Sequence, residues 1–307
     1  MKKIPVGPAI LHAYRFAFGE FPGLFRLSWL ALAPAFAGNA LMQPQLAALS
    51  RGLATHDYSG VTMAWWLLAP LYDVVLIAGF MQLTAVFQYA MYLPEAAQHR
   101  WFYFSLGKPL WRMIGSLLLF GLTMAALAVV FVLAVIAVGF LFGAGFRLAH
   151  MSDAAIRTVA GLDVLLAFTA GYCGGIYCAV RFGFLLFPAT IALERVALFQ
   201  SWLSSHRNFW RMFGVSLVVF LPLFLFFLLA LFLLGAFPHI PPGASQDQIR
   251  ALQAAASTAV IARMQHYWYF YYPASAVITI LITGLAAGAQ SFAWRALSED
   301  ETMPNPL

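Results

Sequence analysis

Six stretches of this chain are each long and apolar enough to cross a bilayer, and that constrains the fold more than any other feature. They run over about Leu27–Leu49, Val61–Leu93, Leu110–Phe146, Ile156–Arg181, Met212–Phe237 and Tyr267–Trp294. A helix needs roughly 20 apolar residues to traverse the hydrocarbon core, where no water can satisfy an irregular backbone. Pro34, Asn39 and Pro44 make the first stretch the least regular. The third exceeds one span, so it must tilt or run past the surface. Composition closes the soluble alternatives. Of 307 residues, 63% are hydrophobic and 9% charged, against about 25% charged in a soluble domain. Two cysteines, Cys173 and Cys178, are too few for a disulfide-stapled module. The expected fold class is an all-α integral membrane protein with about six transmembrane helices, a single domain over 1–298 followed by a short acidic tail at 299–307.

Charge then gives orientation. The net charge of +6 reads as a membrane signal, because basic residues beside spans set topology and attract anionic headgroups. With both termini on one side, that side holds Lys2, Lys3, Arg15, Arg26, Arg100, Lys108, Arg112, Arg181, Arg195, Arg207, Arg211 and Arg295. Only Arg51, Arg147, Arg157, Arg250 and Arg263 fall opposite. Both termini are therefore expected in the cytoplasm, with an even number of spans. The Lys2-Lys3 start reads as uncleaved, since His12, Arg15, Glu20 and Arg26 interrupt the stretch behind it. A nucleic-acid partner is not expected, because no soluble domain presents a basic face.

The membrane entries repeat. Trp111-Arg112-Met113-Ile114-Gly115-Ser116-Leu117 and Trp210-Arg211-Met212-Phe213-Gly214-Val215-Ser216-Leu217 nearly superimpose, with a shorter echo at Phe25-Arg26-Leu27-Ser28. Trp favours the headgroup boundary, and an adjacent Arg reaches phosphates while its stem stays apolar. Three pseudo-repeats follow, at about 8–98, 99–194 and 195–298, each an interfacial helix leading into a transmembrane hairpin. In the first, Ile10, Tyr14, Ala17, Phe18 and Phe21 share a helical stripe; in the third, Phe199, Trp202, Leu203, Phe209 and Trp210 contrast with Arg195, His206 and Arg207. Arg26, Trp111, Arg112, Arg207, Trp210 and Arg211 are the candidate headgroup contacts. On the far side, Ser245 and Gln248 form a capping-box pattern that opens an amphipathic helix with Ile249, Leu252, Ala256, Val260 and Met264 on one face. Tyr267 to Tyr272 reads as an interfacial aromatic belt.

Charges within spans are costly and mark candidate sites. Asp73, Asp163 and Arg181 are such residues; proton coupling, an interhelical ion pair and a plain structural contact compete as their role. Small-residue spacing suits close helix packing: Gly171, Gly175, Ala179 and Gly183 lie four apart, and Gly139–Gly143 and Gly284–Gly288 are G-x-x-x-G pairs. No Walker, G-x-G-x-x-G or G-x-S-x-G motif and no His/Cys ligand spacing is present, so no cofactor, metal or catalytic residue is expected.

Arg181, Leu186-Phe187-Pro188-Ala189, Glu194, Gln200-Ser201-Trp202-Leu203 and Arg207-Asn208-Phe209-Trp210-Arg211 carry a likeness. The segment 181–217 resembles the six-span membrane module fused to some bacterial glycerophosphodiester phosphodiesterases, found also in stand-alone bacterial inner-membrane proteins of unknown function. His206 departs from a position that is often basic or small. The resemblance implies a helical fold in the bacterial inner membrane. It places phosphodiester chemistry in a separate soluble domain, for which this chain leaves no room. The expectation is a non-enzymatic multi-pass protein that contacts lipids, with other membrane proteins as further partners; the competing one is a transporter of a small molecule or lipid using Asp73 and Arg181.

Overall fold

The computed structural model describes residues 3–55, 61–92, 107–148 and 153–298, except 234, 237, 238, 240 and 244, and within its helices the side chains of 39, 43–55, 61–67, 69, 92, 141–148, 153–164, 261, 264, 265 and 268 are not described. Asp163, Gly143, Arg100 and the acidic tail therefore lie outside the described residues, apart from the helical placement of the first two. All regular structure among the described residues is helical. Helix α1 (Val6–Tyr14) continues through a π-helical turn at Arg15–Gly19 and is followed by α2 (Phe21–Thr55). Next come α3 (Val61–Tyr92), α4 (Lys108–Leu148), α5 (Asp153–Gly183), two short helices α6 (Leu186–Ala192) and α7 (Leu198–Ser204), α8 (Phe209–Leu233), α9 (Gln246–His266) and α10 (Trp268–Ser298). Six of these, α2, α3, α4, α5, α8 and α10, are long and apolar enough to span a membrane. The chain is a polytopic helical membrane protein. Pro34 and Pro44 do not interrupt α2 as the sequence suggested; spanning helices tolerate Pro where neighbours satisfy the freed carbonyl.

Burial is concentrated at one end. In α4 the buried residues are Leu110, Met113 and Ser116, and none follows through Phe140; in α8 they are Met212, Val215 and Val219, and none follows through Leu233. The pattern reverses in helices running the other way. Described residues of α5 are unburied until Arg181, those of α10 until Ile280, and α3 is most buried over Met81–Met91. The helices thus alternate in direction, and their packed ends coincide. Lys108, Arg112, Arg181, Arg211 and Arg295 all sit there, which makes it the basic end.

The least buried helices are the most apolar. The spanning window of α4 has a mean hydropathy of 2.8 with none of it buried, and that of α8 has 2.9 with 11% buried; α3 and α10 each score 1.7 and are half-buried. Water would penalise that arrangement, whereas acyl chains are as apolar as the side chains and do not.

On α1 the expected stripe packs in part: Ile10, Tyr14 and Phe21 are half-buried against the core, whereas Phe18 is exposed. Most deeply buried are Ala9, Ala13 and Ala17, beside Phe16. They lie against α10, where a Cβ added to Gly288 would come 3.0 Å from Ala13 Cα and one added to Gly284 3.3 Å from Ala17 Cα. Only small residues let two backbones approach so closely. In α9 the expected pattern appears: Ser245 and Gln248 form the reciprocal capping box, and Ile249, Leu252, Ala256 and Val260 are half-buried among exposed neighbours.

Candidate functional site

Three polar assemblies sit at the basic end. The first surrounds Arg181, on the last turn of α5 and 6% exposed. Its Nε donates to Ser205 Oγ at 3.2 Å, Nη1 to Tyr177 Oη at 3.0 Å and Nη2 to the Trp202 carbonyl at 2.7 Å. The guanidinium lies 3.7 Å from the centre of the Trp202 ring. Each nitrogen has a partner, and every one of these partners is neutral. Ser201 completes the joint by donating to the Phe182 carbonyl at 2.8 Å. A buried cation costs free energy unless its donors are filled, and here hydroxyls, a carbonyl and an aromatic face fill them. The result fastens α5 to α7.

The second assembly holds the amino-terminal strand of chain before α1. Asn208 Oδ1 accepts from the Ile4 amide at 3.2 Å, and Arg211 Nη1 donates to the Ile4 carbonyl at 2.8 Å. Ile4 is fully buried. Asn208 also begins α8, its carbonyl receiving the Met212 amide at 2.9 Å. Arg207, just before it, has φ 65°, a left-handed conformation that costs a non-glycine residue about 1 kcal/mol.

The third is a cleft of about 550 Å³ between α3, α4 and α6, lined by Gln88, Lys108, Arg112, Thr190 and Glu194 among others. Arg112 Nη1 meets Glu194 Oε2 at 3.3 Å; the arginine side chain is 29% exposed and the glutamate 74%. Glu194 follows the end of α6 at φ 52°, the left-handed position that commonly closes a helix. Behind the ion pair, Ser116 and Thr190 hydroxyls lie 2.8 Å apart and buried.

The three membrane-entry motifs share one disposition. Phe25, Trp111 and Trp210 are exposed, Arg26, Arg112 and Arg211 are half-buried, and Leu27, Met113 and Met212 are buried. Aromatic rings thus face outward at the same end as the cations. In the third unit Trp202 turns inward to Arg181, while Phe199 and Leu203 stay exposed.

The structure does not bring Asp73 and Arg181 together. Asp73 is exposed on α3 and lies 14 residues, roughly 20 Å of helix, from Phe87, whose ring is tilted against that of Phe187 at 5.3 Å, on the short helix that follows the Arg181 end of α5. Gln82 links α3 to α10, donating to Thr283 Oγ1 at 3.4 Å. Among the stripe glycines, Gly171 faces Phe131 so tightly that a Cβ would clash at 2.6 Å, and Gly183 faces Phe120 at 3.7 Å. At Gly139 and Gly175 an added Cβ would meet no atom of the described residues within 4 Å. Cys173 is exposed and Cys178 half-buried, both free. Sequence reasoning missed Asn208, Ser205 and Thr190 as site-builders. Ser205 and Asn208 are polar residues beside Arg207, and that adjacency was the available signal; Thr190 had none.

At the junction of α1 and α10, Arg295 Nη2 lies 3.4 Å from His12 Nε2. Burial first, then the charges of Arg295 and Arg15, push the His12 pKa below its ordinary value. The neutral ring, in the tautomer that leaves Nε2 unprotonated, accepts a hydrogen bond from the guanidinium.

The chain matches no family model, no curated protein and no solved structure.

Proposed function

We propose that this membrane protein is a non-enzymatic scaffold of the bacterial inner membrane that gathers anionic lipid at its cytoplasmic face, with its basic end inside the cell. The observation that carries the reading is the repeated disposition at that end, an exposed aromatic ring beside a half-buried arginine at three helix entries. Such a rim suits headgroup depth, where rings prefer the boundary and cations find phosphate. The likeness of residues 181–217 to bacterial membrane modules supports the same setting. The unburied faces of α4 and α8 suit acyl chains and leave room for other membrane proteins alongside.

Transport through an Asp73–Arg181 path draws no support from the separation of the two residues or from the filled donors of Arg181. The test is lipid selectivity: the full chain is reconstituted with spin-labelled phosphatidylglycerol or phosphatidylcholine, and the fraction of motionally restricted lipid is read. A preference for the anionic label that salt weakens is expected. Equal fractions for both labels would refute the reading.

A further inference from the structure

Two equivalent arginines at the basic end are filled differently. In the motif that opens α8, Arg211 donates to a main-chain oxygen of its own chain, the Ile4 carbonyl, at 2.8 Å. In the motif that opens α4, Arg112 faces the open cleft and meets Glu194 at a longer 3.3 Å. No residue of the described chain plays the part of Ile4 here. The oxygen partner of Arg112 is instead a carboxylate that is 74% exposed, and an exposed ion pair of this kind holds weakly.

The charge in the cleft is unbalanced. Among the described lining residues, Lys108 and Arg112 oppose one carboxylate, that of Glu194, which leaves one net positive charge. The first turn of α4 carries no acidic residue, so nothing there offsets its partial positive charge. The cleft volume of about 550 Å³ lies within the range of small-ligand sites, roughly 300–1,000 Å³. Beside it, exposed Trp111 marks headgroup depth, and the unburied apolar flank of α4 runs on from Leu117. A ligand that fits has one negative charge, oxygens that can accept from a guanidinium, and an apolar tail.

We propose that the α3–α4–α6 cleft is a discrete site for the phosphate of one anionic phospholipid, with Glu194 as the resident competitor for Arg112. This rests on the lipid-gathering reading above and adds a place and a stoichiometry to it. Phosphate oxygens take the guanidinium in the fork geometry that arginine favours, Lys108 adds a second cation, and the acyl chains lie along α4. Glu194 swings out when the lipid arrives and covers Arg112 when it leaves.

The experiment is a titration of the full chain in detergent with phosphatidylglycerol, read by native mass spectrometry. One saturable lipid adduct is expected. The double variant Lys108→Gln/Arg112→Gln weakens it at least about tenfold, and Glu194→Gln, which removes the competitor, tightens it severalfold. Arg112→Lys, which keeps the charge but not the fork, weakens the adduct less than the double variant does and so separates loss of charge from loss of fold. Arg250→Gln, exposed on α9 at the opposite end, leaves it unchanged. Inorganic phosphate in the millimolar range competes poorly; complete displacement by it would overturn the lipid assignment and point to a soluble phosphate ligand. Unchanged affinity in the double variant, or an equal loss in Arg250→Gln, would overturn the site. If the spin-label preference persists in that case, only the discrete site falls; if the preference is also missing, the broader reading falls with it.

Discussion

The two halves of the bundle are made from similar residues and are held by different physics. At the basic end, helices meet backbone to backbone, as where Gly284 and Gly288 of α10 receive Ala17 and Ala13, and arginines tie segments far apart in sequence. At the other end, α4 and α8 present Leu, Val and Phe outward, with none of the α4 spanning window buried. In lipid there is little hydrophobic gain in pressing apolar helices together, so association depends on close packing and hydrogen bonds. Packing follows those two resources to the basic end. Apolarity alone produces crossings; small residues and polar joints decide which crossings become neighbours.

The contrast is broken most severely where a glycine comes nearest to another helix's backbone. Gly288→Leu drives a side chain into the Ala13 backbone and is expected to cost about 3 kcal/mol or more, seen as loss of a monodisperse species or a steep drop in Tm in detergent. Gly139→Leu, with open space around it, changes stability by less than about 0.5 kcal/mol. Equal effects would erase the distinction between the ends. Next comes Arg181→Met, which strands Ser205, Tyr177 and the Trp202 carbonyl and is expected to cost about 3 kcal/mol. Arg181→Lys recovers little, because one ammonium cannot serve three directions and a ring face together. Asp73→Asn serves as the exposed counterpart, with a change under about 0.5 kcal/mol.

Acid sharpens the comparison without a mutation. With its pKa lowered in the fold, His12 stays neutral there while the unfolded chain takes up a proton. Stability is therefore independent of this residue above the ordinary histidine pKa of about 6.5 and falls as the pH drops below it. Thermal melts from about pH 8 to pH 5 should show that decline, and His12→Gln should flatten it. The smallest effect is expected at Glu194→Gly. Relief of the left-handed backbone gains about 1 kcal/mol, and loss of an exposed ion pair gives back up to about 1 kcal/mol. The net change in Tm should be near zero, and a large fall would show the pair to be stronger than its exposure suggests.

The sequence made the crossings plain because hydropathy is a property of composition, and the alternating Lys/Arg bias marked which helix ends share a side. It also showed Trp111-Arg112 and Trp210-Arg211 as counterparts. The inward face of α1 was legible in part, through Ile10, Tyr14, Ala17 and Phe21; Ala9 and Ala13 carry little hydrophobic signal beside Tyr14 and Phe18, yet their smallness is what allows the approach to α10. Asp73 drew notice as a charge in an apolar stretch, but a charge pattern does not say which way a helix face points. The grip on Ile4 was invisible because its atoms are main-chain atoms, the same in every residue, and its partners Asn208 and Arg211 stand 204 and 207 residues away.

That distance sets an order of events during synthesis. Ribosomes add about 5–20 residues per second, so the partners of Ile4 emerge roughly 10–40 s after it, and the α10 seat for α1 later still. Until then the leading segment has no berth, and it waits beside the membrane while four apolar helices are threaded ahead of its lock. Assembly therefore finishes where translation started.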